Sequence, residues 1–231
     1  MKHLLFTERM KMADLVHANY RLLFVLPRFG ILLGFGDKSI GEICRTHGIS
    51  SSLFLLVCNI YTFDDFLPEA DELHSFTAED LTAYLHQSHE DYIREQIPEI
   101  GKQVLSLAGC CAGKNGKILE RFFDDYSREV TNHFNYEENV VFPYIHNLSD
   151  GKKSDEGYSI GQFEKNHSNI EEKLSDLKNI LIKYLPDLCP GGPRNRLLLD
   201  LFLLEDDLNK HSLIEDRILV PLVEQLEERM R

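Results

Sequence analysis

From about residue 77 onward the apolar positions step in threes and fours, the period of an amphipathic helix, and polar or glycine-rich breaks separate four long stretches. Thr77-Ala-Glu-Asp80 predicts the start of the first, with the threonine hydroxyl accepting an orphan backbone N–H. Gly109-Cys-Cys-Ala-Gly113 and Gly116 break the pattern. A second helix is expected to run to about Asn147, followed by a polar segment ending at Gly157. A third ends near Pro186, Cys189-Pro-Gly-Gly-Pro193 forms a loop, and a fourth runs from near Asn195 almost to Arg231. Strand alternation is not convincing anywhere. Residues 1–70 read as a separate unit of three or four short helices. Its apolar segments are Leu22–Leu26, Ile40–Cys44 and Leu53–Tyr61, with a capping box at Ser39-Ile-Gly-Glu42. The expected architecture is all-α: an antiparallel four-helix bundle over residues 77–231, preceded by a small helical N-terminal domain.

Polar residues interrupt the apolar stripes at matched places. Tyr126, Val130, His133, Glu137, Val140 and Tyr144 share one helical face, as do Ile160, Phe163, His167, Ile170, Leu174 and Leu177. A third such face carries Leu204, Leu208, His211, Glu215, Ile218 and Leu222. His133 is followed by Glu at +4, a second acid at +5 and Pro at +10, and His211 repeats the pattern 78 residues later. His89 and His167 are also 78 residues apart, and within each half the two histidines are separated by 44. The midpoints of the two halves fall at residues 111 and 189, inside the predicted turns. Residues equidistant from the turn of an antiparallel hairpin stand at one height, so the four imidazoles are expected in a single layer, each roughly 30 Å from its turn at ~1.5 Å per residue.

An ionised carboxylate in an apolar core costs several kcal/mol unless it is compensated. Two glutamates and four histidines converging on one level therefore call for a common partner, and a pair of metal ions supplies it. The donors are all nitrogen and oxygen, which suits iron or manganese better than a structural zinc site. Glu137 and Glu215 can each bridge two ions while each ion takes two histidines. Open positions remain for an oxo or hydroxo bridge and for a small molecule such as dioxygen or nitric oxide.

Composition narrows the partners. A formal net charge of −13 argues against a nucleic-acid backbone or an anionic membrane as the main partner. No apolar run is long enough to span a bilayer and the first residues mix charges among apolar positions, so a cytoplasmic location is expected. Five cysteines without CxxC spacing fit reduced thiols better than a disulfide framework. Pro98, Pro143 and Pro221 are expected to kink or loosen their helices. His86 and Glu164, three residues before His89 and His167, are candidates for orienting those imidazoles, with exposed helix positions as the alternative.

At these motifs the chain resembles a hemerythrin-type (HHE cation-binding) domain, and more narrowly the di-iron RIC family, the repair-of-iron-centres proteins. The resemblance implies two non-haem iron ions, oxo-bridged, held by His89, His133, Glu137, His167, His211 and Glu215. It also implies protection or repair of iron–sulfur clusters under oxidative or nitrosative stress, with an iron–sulfur client protein, or reduction of nitric oxide. A hemerythrin-like module that binds or senses dioxygen without turnover is the alternative. A third reading makes residues 1–70 a DNA-binding regulator, against which the acidic charge weighs. The segment from Arg28-Phe-Gly-Ile to Cys44 resembles the family's N-terminal domain, except that Leu32-Leu-Gly stands where the family has adjacent cysteines before a glycine.

Overall fold

The structure is a computed structural model describing residues 5–68, 75–111, 114–152, 158–166, 170–185 and 191–230. The described residues are helical apart from loops and one isolated antiparallel bridge between Lys11 and Ser39. None of their helices is long and apolar enough to cross a membrane.

Four short helices open the chain: α1 (Met12–Ala18), α2 (Leu22–Arg28), α3 (Ile40–His47) and α4 (Ser51–Thr62). The last three coincide with the apolar segments of the sequence. Ser39 and Glu42 form the expected reciprocal cap, Ser39 Oγ accepting the Glu42 N–H while the Glu42 carboxylate accepts the Ser39 N–H. Met12, Leu22, Val25, Ile40, Phe54 and Val57 bury their side chains completely. Arg28 is buried as well, donating to the Tyr61 hydroxyl at 3.0 Å.

Next come α5 (Ala78–Asp91), α6 (Ile97–Cys110), α7 (Lys114–Tyr136), α8 (Phe142–Ser149), α9 (Ile160–Asn166), α10 (Ile170–Asn179), α11 (Gly191–Ile214) and α12 (Val220–Met230). At the head of α5, Thr77 Oγ1 accepts the Asp80 N–H at 3.0 Å and Asp80 returns the bond to the Thr77 N–H. Gly109 lies inside α6 and Gly116 inside α7, so the expected glycine-rich break is narrower than the sequence indicated. Gly116 serves a close approach instead, since a Cβ there would stand 2.5 Å from the Ala108 carbonyl oxygen. Gly191, Gly192 and Pro193 form the first turn of α11 and not a loop, because a proline early in a helix gives up an N–H that has no partner there anyway.

The chain divides into two compact units, residues 1–88, 142–164 and 210–231, and residues 89–141 and 165–209. In the second unit four helical stretches bury one continuous core. Ile100, Val104 and Leu107 meet Leu119, Tyr126 and Val130, with Leu174 and Leu177 from α10 and Leu197, Leu201 and Leu204 from α11. At ~25 cal/mol per Å² of apolar surface removed from water, each fully buried leucine contributes about 1.5–3 kcal/mol. In the first unit Glu227 of α12 gathers two other elements, accepting from the Tyr144 hydroxyl at 2.6 Å and from the Ile160 N–H at 2.8 Å.

The helices are not α-helical throughout. Four five-residue π turns interrupt them, at Tyr92–Gln96, Glu137–Val141, Ile180–Tyr184 and Glu215–Leu219. In every case the residue two beyond the last π residue is proline: Pro98, Pro143, Pro186 and Pro221. Proline removes an N–H and presses on the carbonyl four residues earlier, and closing the turn over one more residue relieves that clash. The loosening expected at Pro98, Pro143 and Pro221 thus takes a defined form. It also corrects the apolar stripe of the second long helix: the added residue turns Val140 outward and puts Val141 fully inside.

Candidate metal centre

Each candidate ligand in the described residues stands on, or just before, one of these π turns. His89 is near the end of α5, three residues before Tyr92. His133 lies in the last turn of α7, and Glu137 is the first residue of the π turn that follows. His211 and Glu215 have the same places at the end of α11 and the start of its π turn. A spacing of four keeps each His–Glu pair on one helix face. His167 lies outside the described residues, as do Cys189 and Pro186.

The side chains face inward. Glu137 and Glu215 are completely shielded from solvent, and His89, His133 and His211 retain only a few per cent of their exposure. Glu137 Oε2 stands 3.0 Å from His89 Nε2, and its Oε1 stands 3.0 Å from His133 Nε2. His211 Nε2 lies 3.2 Å from Glu215 Oε1. Ligand atoms of His89, Glu137, His211 and Glu215 all lie within 4.8 Å of one another.

These distances test whether a metal fits. Neighbouring donors bound at about 2.1 Å to an octahedral ion stand about 3.0 Å apart, so the observed His–Glu separations match the edges of a coordination shell. The charges agree with that fit, because two carboxylates buried this close repel each other in a low-dielectric interior and a cation removes the penalty. The donor set is imidazole and carboxylate without thiolate, suited to iron, manganese or zinc.

Aromatic rings back the site. The His89 ring stacks on Phe134 with centroids 4.3 Å apart, and Phe134 stacks in turn on Tyr92 at 5.4 Å. The sequence reading missed Glu138, whose Oε1 lies 2.7 Å from His89 Nδ1. The signal for it was present in the second acid at +5 of both motifs. His86, considered for such a role, is half-buried, and the side chain of Glu164 lies outside the described residues.

The thiols depart from expectation at one place. Cys44, Cys58 and Cys110 are free, but Cys111 is disulfide-bonded. Burial pushes the Cys44 thiol up to about 11 and raises Cys58 well above its ordinary value, so both are inert at neutral pH.

Comparison with known proteins agrees with the centre. No curated protein matches the sequence. The profile of the Hemerythrin HHE cation binding domain matches residues 80–223, well over half of the chain and a span that contains every candidate ligand. The chain is an all-α, metal-binding member of the hemerythrin HHE cation-binding domain family.

Proposed function

We propose that the chain holds a pair of non-haem iron ions through His89, His133, Glu137, His167, His211 and Glu215. We propose further that this centre protects or repairs iron–sulfur clusters under oxidative or nitrosative stress, or reduces nitric oxide. The observation that carries the dinuclear reading is Glu137. Its two oxygens face imidazoles from two different helices, as a carboxylate spanning two ions requires. The 78-residue repeat assigns His167 and Glu215 the matching roles in the second hairpin.

An iron pair in such a site supplies one-electron chemistry at positions open to a small gaseous ligand, dioxygen or nitric oxide. The protein's own contribution is orientation and exclusion. The π turns fix where each glutamate begins its reach, Phe134 holds the His89 ring plane, and the apolar layer of Val130, Val141 and Leu208 keeps bulk water out. On this reading the cation-binding domain spans residues 77–231, residues 1–70 form a companion domain, the protein works in the cytoplasm, and its partner is an iron–sulfur client protein.

The test uses a cluster enzyme inactivated by nitric oxide. Iron-loaded protein should restore its activity, and His133→Ala protein should not. Equal restoration by that variant would remove the centre from the mechanism. Reversible dioxygen binding, with neither nitric oxide consumption nor restoration, would replace repair by carriage.

A further inference from the structure

His89 is gripped at both ring nitrogens by consecutive carboxylates. Nε2 stands 3.0 Å from Glu137 Oε2, and Nδ1 stands 2.7 Å from Glu138 Oε1. The two acids have different surroundings, Glu137 fully buried and Glu138 with 28% of its side chain exposed. Neighbouring residues of an α-helix point about 100° apart. In the wider π turn at Glu137–Val141 that angle shrinks, which lets adjacent side chains reach one imidazole. Phe134 covers the ring face with planes only 19° apart, so the ring has little freedom to tilt.

We propose that Glu138 is a positioning residue for the metal centre: its carboxylate accepts the Nδ1–H of His89 and so commits Nε2 to the cation. A neutral imidazole carries one N–H, and whichever nitrogen holds it cannot bind a metal. A carboxylate at 2.7 Å is within the range of a charge-assisted hydrogen bond, which holds the N–H on Nδ1, fixes the ring's rotation and makes Nε2 more basic. The 78-residue repeat carries the same device, since Glu137-Glu138 recurs as Glu215-Asp216. The acid at +5 therefore has a task separate from the acid at +4: one is for the ion and the other for a histidine that binds it.

This inference rests on the metal-centre reading above, and its test separates the two. Apo-protein is titrated with zinc against a competing chelator, for wild type, Glu138→Ala, Glu138→Gln and, as control, Glu99→Gln, an exposed acid paired with Lys102. The zinc-loaded forms are then examined by ¹⁵N–¹H NMR of the histidine side chains. Glu138→Ala should bind zinc about 10–100-fold more weakly and lose the protected Nδ1–H signal of His89, with little change in the melting temperature of the apo-protein. Glu138→Gln, whose amide oxygen still accepts, should keep that signal, and Glu99→Gln should match wild type. Zinc affinity of Glu138→Ala within twofold of wild type, or a wild-type His89 without an Nδ1–H signal, overturns the role of Glu138 alone. A wild-type protein that binds no metal overturns the metal centre and this inference together.

Discussion

Glu137 holds one carboxylate oxygen 3.0 Å from His89 Nε2 and the other 3.0 Å from His133 Nε2, linking the end of α5 to the end of α7 through a single buried side chain. Replacing it with Ala removes donors to both imidazoles at once, whereas Glu137→Gln leaves one oxygen. The Ala variant should bind substantially less iron than Gln, and both less than wild type. Iron per chain after reconstitution and desalting measures the order.

Phe134 links the site to the core. Phe134→Ala should destabilise the fold by about 3–5 kcal/mol, the usual cost of truncating a buried phenylalanine. Phe134→Leu retains most of the burial and loses the stacking on His89 and Tyr92. Denaturant titration should show a much smaller loss for Leu than for Ala, while metal affinity falls in both.

The prolines set stability against function. Proline in a helix interior costs about 3 kcal/mol relative to alanine, so Pro143→Ala removes the reason for a π turn at Glu137–Val141. We expect the apo-protein to melt at the same or a higher temperature. Metal binding should weaken, because an ordinary α turn would swing Val140 inward and rotate the residues after Glu137. Pro221→Ala should behave alike. Unaltered affinity in both variants would show that the π turns are incidental.

The cysteines differ in reactivity for structural reasons. Alkylation of the native protein near neutral pH should modify exposed Cys110 and spare Cys44 and Cys58, whose thiols burial keeps protonated. Peptide mapping after alkylation distinguishes the three.

One pH dependence follows from the cap of α3. The Ser39 backbone N–H, and then its hydroxyl, hold the Glu42 carboxyl below its ordinary value of 4.5. A folded-state value lower than the unfolded one means that this contribution is complete above 4.5 and disappears as pH falls through the folded value. Glu42→Ala should therefore melt below wild type at neutral pH and converge with it in acid.

Much of the site was legible because the repeat is strict and its polar residues fall where a helical stripe should be apolar. His89, His133 and His211 are buried as their matched spacing implied, and Glu137 and Glu215 are the most deeply buried acids among the described residues. The π turns were not legible as such. Prolines foretold a disturbance, but whether a helix kinks or widens depends on how the freed carbonyl is accommodated, and the Val140–Val141 exchange followed from that. Glu138 was missed because its spacing from His133 says nothing about His89, which approaches from another helix. The bond at Cys111 was missed because cysteine spacing alone does not determine pairing.

The central claim is that buried imidazoles and carboxylates share a metal pair, and metal analysis of the purified, iron-reconstituted chain tests it most directly. The account predicts iron bound as a pair per chain, with a visible ferric absorption band that is lost in His211→Ala. A chain that stays folded and takes up no iron, or whose iron is unaffected by His211→Ala, would contradict it.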